Sequence, residues 1–208
     1  LLKSIFSPEF GFATIRVMTP LLFSSIGFAI AELSGTTNIA LEGIMLVAAF
    51  VGVMVSVFTR SLLLAFVAGI ASGLGMAALL GYFHLKLKAD IILAAIALNL
   101  FATGITVFLL FLISHDKGTS SSLKSLVFPS FQIPLLKSIP VVGPILSGHN
   151  LLTYLSFLSV IVFYLILYKM PIGLQIRAVG QNPEAAQSVG VNVNRIKMYS
   201  LLLSGLFG

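Results

Sequence analysis

Two stretches of the chain, residues 61–83 and 91–113, each run for 23 residues without a charged side chain. At about 1.5 Å of rise per residue, a helix of that length crosses the roughly 30 Å hydrocarbon layer of a bilayer with some tilt. A third uncharged run, 151–168, ends at Lys169. Composition agrees: 58% of residues are hydrophobic and 9% charged, against about 25% charged in a soluble domain. The surface of a chain this size cannot be covered with so few charges, so most of its solvent is lipid. With no Trp, an interfacial aromatic belt falls to Tyr and Phe.

In lipid the backbone must satisfy its own hydrogen bonds, and the sequence therefore predicts an all-α fold, a polytopic transmembrane helical bundle. Two further apolar runs, 17–31 and 43–58, are short for a span, and Pro20 interrupts the first. Between them lies a polar, glycine-containing segment, 32–43. Short runs broken by Pro, Gly and polar residues predict discontinuous helices, which membranes tolerate around a cavity or inside protein. A further span begins near 197. Because the chain starts at Leu1 and stops within an apolar stretch, it reads as a fragment of a longer protein, with residues 1–208 forming one transmembrane domain.

Basic residues set the orientation. Lys86 and Lys88 occupy the short loop 84–90, while Lys169, Arg177, Arg195 and Lys197 oppose the single acid Glu184 in 169–197. These loops lie two spans apart, so both are expected in the cytoplasm. Residues 114–150 then form an extracytoplasmic loop, rich in Pro and opening with Ser120, Ser121 and Ser122, with short surface helices. The connection at Thr59–Arg60 falls on the same outer side. The net charge of +6 is a topology signal scattered between apolar runs, not a nucleic-acid surface. Gly69, Gly73 and Ala77, four apart, mark a face where two helices can approach closely.

Little points to catalysis. His84, His115 and His149 are far apart and form no metal-ligand spacing, no phosphate-binding loop with the Walker spacing is present, and there is no Cys. No cofactor is expected. The informative polar residues lie in the membrane segments. Glu32, Asn38 and Glu42 are expected either at bilayer depth, where a carboxylate is a functional candidate, or in a wet interfacial turn. Asn99, inside the span 91–113, either bonds across helices or lines a pathway.

The segment 173–191 carries the strongest local signals. Asn182 is a good N-cap, Pro183 suits the first helical position, Glu184 complements the helix N-terminus, and Gly190 suits the C′ stop. A helix over 183–189, through Ala185 and Ala186 and bounded by Gly180 and Gly190, is predicted. Alone in water it is marginal, so a docking partner is expected.

The run Gly173-x-x-Ile176-Arg177-Ala178-Val179-Gly180-Gln181-Asn182-Pro183-Glu184-Ala185-Ala186, followed by Gly190-Val191-Asn192-Val193-Asn194-Arg195, resembles the cytoplasmic coupling loop of ABC importer permeases of the branched-chain amino acid and ribose type. Thr19-Pro20, Ala31-Glu32-x-Ser34-Gly35, Asn38-Ile39-Ala40-Leu41-Glu42-Gly43-x-Met45 and Ile96-Ala97-Leu98-Asn99-Leu100 are similar to the subset handling simple sugars or nucleosides. Thr36-Thr37 and Ala40 depart from that pattern. The resemblance implies a permease subunit in a bacterial cytoplasmic (inner) membrane, paired with a second permease subunit, identical or different. It implies ABC ATPase subunits docked on the cytoplasmic coupling loop 169–196, and an extracytoplasmic substrate-binding protein. The translocation pathway would draw on Glu32, Asn38, Glu42 and Asn99. The alternative is an ion-coupled secondary transporter, which suits broken helices and two acids but has no need of that loop.

Overall fold

A computed structural model describes residues 8–114, 123, 125–132 and 145–208. Its main elements are α1 (Pro8–Leu33), α2 (Leu41–Thr59), α3 (Leu62–Gly81), α4 (Ile91–Ser114), α5 (Leu151–Lys169), α6 (Pro171–Gln181), α7 (Pro183–Ser188) and α8 (Val193–Phe207). A π-helical turn, Tyr82–Lys86, extends α3. Five of these helices are long and apolar enough to cross a membrane. The chain is a multi-pass membrane protein.

The spans expected over 61–83, 91–113 and 151–168 appear as α3, α4 and α5. The shorter runs become longer helices than their apolar length suggests. α1 has 26 residues and carries Pro20 inside it. Pro20 removes one N–H donor and crowds the carbonyl four residues earlier, yet the helix runs on through it. The Ser24 hydroxyl bonds the Pro20 carbonyl at 2.5 Å. The discontinuity therefore lies between α1 and α2, at 34–40, and each helix is continuous in itself.

Small residues fix the packing. At Gly73 an added Cβ would lie 2.6 Å from the Gly205 carbonyl oxygen, and at Gly69 it would meet the Ala48 carbonyl at 3.5 Å. The expected small-residue face is thus shared: Gly69 faces α2, while Gly73 and Ala77 receive Gly205 of α8. The central core comprises Ala31, Ile44, Met76, Leu80, Leu98 and Leu201 with their neighbours.

Both basic loops lie at one end of the bundle. Gly81, near the end of α3, abuts the Met198 sulfur near the start of α8. At the opposite end Phe12 stacks on His149 at 4.0 Å, and the Ser56 hydroxyl accepts the Leu126 N–H at 2.8 Å. Of the loop expected over 114–150, Ser130 bridges to Asn150. His115, Ser120, Ser121, Ser122, Pro134, Pro140, Pro144 and the surface helices expected among them lie outside the described residues.

Candidate functional site

Two places hold the polar residues that the sequence singles out: the break between α1 and α2, and the α6–α7 loop at the basic end.

α1 stops by a Schellman motif. The Thr36 N–H bonds the Ala31 carbonyl at 3.1 Å and the Gly35 N–H bonds the Glu32 carbonyl at 2.9 Å. Gly35 takes φ +71°, a left-handed conformation that favours glycine. Side chains finish the satisfaction: the Ser34 hydroxyl bonds the Ala31 carbonyl at 2.7 Å and lies 2.6 Å from the Thr36 hydroxyl. Ser34, Thr36 and Asn38 are all 0% exposed. Asn38 donates to the Ser204 hydroxyl at 2.8 Å and accepts the Ala40 N–H at 3.1 Å.

The start of α2 is held by Asn99 of α4. Its Oδ1 accepts the Gly43 N–H at 2.8 Å, and its Nδ2 donates to the Ile39 carbonyl at 3.0 Å. A Cβ on Gly43 would come within 2.7 Å of that Oδ1, so only glycine lets the amide approach. Of the two readings open for Asn99, the geometry supplies the bond across helices.

The break is deep in the bundle. Gly43 packs on Asn99, about 12 Å along α4 from Ile91. Ile44 packs on Gly73, about 20 Å along α3 and its π turn from Lys86. The segment 34–40 therefore climbs inward from the basic end, with Ser34, Thr36, Asn38 and Ala40 buried and Gly35 and Ile39 exposed. Glu42 stands on the first turn of α2, where an anion suits the helix dipole. Glu32 stands on the last turn of α1, where it does not. Both are exposed, and neither carboxylate bonds a described residue.

The second place is built differently. α6 begins with Pro171 at its first turn and buries Gly173, Ile176 and Val179 on one face. The sequence reading missed this helix, although Pro171 and the spacing of Ile172, Ile176 and Val179 signal it. Gly180 consequently lies within α6 and does not bound the next helix. The boundary is Asn182, whose side chain accepts the Ala185 N–H at 3.0 Å. α7 ends at Ser188, one residue short of expectation. Its stop is a second Schellman motif: the Val191 N–H bonds the Ala186 carbonyl and the Gly190 N–H bonds the Gln187 carbonyl, each at 3.0 Å, with Gly190 at φ +88°. Ala186 is the buried residue of α7. Pro183, Glu184, Ala185, Gln187 and Ser188 are exposed, as is Val189 at 79%. Val189 is an apolar residue on this surface that the sequence reading did not select. Arg177 folds back over the Tyr168 ring at 4.9 Å.

Elsewhere, a cavity of about 590 Å³ opens among α1, α2, α3, α5 and α8, lined by Phe23, Gly52, Phe66, Leu155 and Leu206 among others. Its walls are nearly all apolar, and a polar solute would lose its hydrogen bonds to water there. Among the described residues no cluster of three or more His, Asp or Glu could hold a metal.

Residues 11–208 match the family described as the branched-chain amino acid transport system permease component. The chain is 33% identical over 205 residues to the guanosine ABC transporter permease protein NupQ of Bacillus subtilis, covering 94% of this chain and 63% of that protein. Identity is 34% over 197 residues to the nucleoside ABC transporter permease protein NupC of Lactococcus lactis, covering 91% and 61%. With the putative glucose ABC transporter permease protein TsgC13 of Haloferax volcanii it is 32% over 200 residues, covering 94% and 58%. The chain thus spans about three-fifths of the length of these relatives. No solved structure matches it.

Proposed function

The chain belongs to the branched-chain amino acid transport system permease family, and from that premise we propose that it is the membrane-spanning subunit of an ATP-driven importer for a nucleoside or a simple sugar. The relatives named for guanosine, nucleosides and glucose support the substrate class. One observation carries the reading. α7 is a six-residue helix, too short to persist alone, yet it is capped at both ends and pinned by Ala186 while the rest of its surface faces outward. Such an element has the form of a docking knob.

In this reading the basic end faces the cytoplasm of a cell-membrane protein, following the bias of Lys and Arg toward that side. Separate ATPase subunits take up α7 through Asn182, Pro183, Glu184, Ala185 and Val189. A second permease subunit completes the pore, and an external binding protein delivers the solute. ATP shifts the pore between outward and inward access by binding one state better than the other. Glu42 lines the pathway at depth, Glu32 marks its basic-end mouth, and Asn38 and Asn99 hold the backbone between them. The chain's task is transport, not catalysis.

The test is copurification of an ABC ATPase with the full-length permease and its loss in Glu184→Lys, with membrane insertion unchanged. Wild-type uptake by that variant sinks the docking role. Labelling of a cysteine at 184 from the extracellular side alone sinks the importer reading, and gradient-driven uptake without ATP replaces it with an ion-coupled carrier.

A further inference from the structure

We propose that Gly180 and the Leu33–Gly35 turn form the joint through which movement of α7 reaches the buried break, an inference that rests on the importer reading above. Gly180 lies next to the last residue of α6. A Cβ placed on it would collide with the Leu33 carbonyl oxygen and lie 2.9 Å from the Leu33 carbonyl carbon and 3.2 Å from the Gly35 nitrogen. Two backbones touch here with no side chain between them, one from the docking loop and one from a membrane helix.

The Leu33 side chain supplies the other half of the grip. It packs against the cluster of Leu167, Ile176, Val179, Ala186 and Ile196, which joins α5, α6, α7 and α8. Ala186 thereby ties the docking helix to the same small core that holds the end of α1. Beyond Gly35 the route continues through groups that are already hydrogen-bonded: Thr36 on Ala31, Asn38 on Ser204, and Asn99 on Ile39 and Gly43. Close-packed interiors transmit displacement rather than absorb it. When α7 moves, the end of α6 either carries the Leu33–Gly35 turn with it or loses the contact.

A chain of contacts is a coupling route only if perturbing it changes the response at the far end. The joint allows two perturbations of opposite kind: Gly180→Ala adds bulk, and Leu33→Ala removes it. The reporter is Ile39→Cys, at a position 40% exposed in a stretch of 208 residues that holds no other cysteine, read against the same complex with Ile39 intact. Its maleimide labelling rate is measured in the full-length permease–ATPase complex in proteoliposomes, with and without a non-hydrolysable ATP analogue.

In the complex carrying only the reporter substitution the analogue is expected to change the rate. In Gly180→Ala that change shrinks by about threefold or more, while ATPase association and hydrolysis persist. A full response in Gly180→Ala overturns the joint. If that variant fails to reach the membrane, Leu33→Ala carries the test: a diminished response supports the joint, and an undiminished one overturns it. A bound, hydrolysing ATPase with no response at the reporter thiol, Gly180 and Leu33 being intact, overturns the joint alone. Absence of any ATPase from that complex overturns the importer reading and the joint together.

Discussion

The break at 34–43 and the docking loop at 182–191 are made from the same parts. Each has a helix closed by a Schellman glycine, Gly35 in one and Gly190 in the other. Each also has an asparagine holding a helix start: Asn99 reaches across to α2, and Asn182 caps its own α7. They differ in surroundings. The first lies inside the bundle, with Ser34, Thr36 and Asn38 fully buried, and the second stands in the open around a single buried alanine. A hydrogen bond contributes modestly where water can replace it and becomes costly to lose where nothing can. Equal motifs should therefore carry unequal weight.

The sharpest way to break the comparison is Asn99→Leu. It strips the partners from the Gly43 N–H and the Ile39 carbonyl at once. Two orphaned groups at roughly 1–3 kcal/mol each predict a loss of about 2–6 kcal/mol, read by reversible unfolding in detergent micelles. A loss below about 1 kcal/mol would mean that water reaches the break. Next comes the glycine pair. Gly35→Ala and Gly190→Ala meet similar left-handed strain, of roughly 1–2 kcal/mol. The first is expected to lower the melting temperature of the whole bundle, because its turn abuts Gly180 and is closed by the buried Ser34 and Thr36 on the Ala31 carbonyl. The second is expected to fray only the end of α7, and equal shifts in melting temperature would dissolve the distinction. The smallest effect belongs to Asn182→Ala, at about 1 kcal/mol of helix stability. It should appear as faster amide exchange over 183–188 with the melting point of the bundle unmoved. Slow, unchanged exchange there would mean that Ala186 alone maintains α7.

The two regions also differed in how far the sequence exposed them. Asn182, Pro183 and Gly190 act on their own neighbours, and their roles were legible from spacing alone. α6 was overlooked because Gly173 and Gly180 look like breakers. In the fold they are contact points, Gly173 against the backbone at Ile166 and Leu167, and Gly180 against Leu33. At the break, the polar residues were found but their partners were not. Asn38 bonds Ser204, 166 residues away along the chain, and Asn99 bonds Gly43, 56 residues away. No local pattern encodes such distances.

The residues by themselves determined that the chain lives in lipid, where α3, α4 and α5 run, which end carries the basic loops, and how α7 starts and stops. Each of these follows from hydrophobic length, charge placement or hydrogen bonds within one turn, all local quantities. Tertiary structure alone decided that α2 starts deep in the bundle, that Asn99 holds that start, and that Gly180 is a point of backbone contact. Those outcomes depend on which surfaces close-packed helices bring together, and packing is a property of the whole chain.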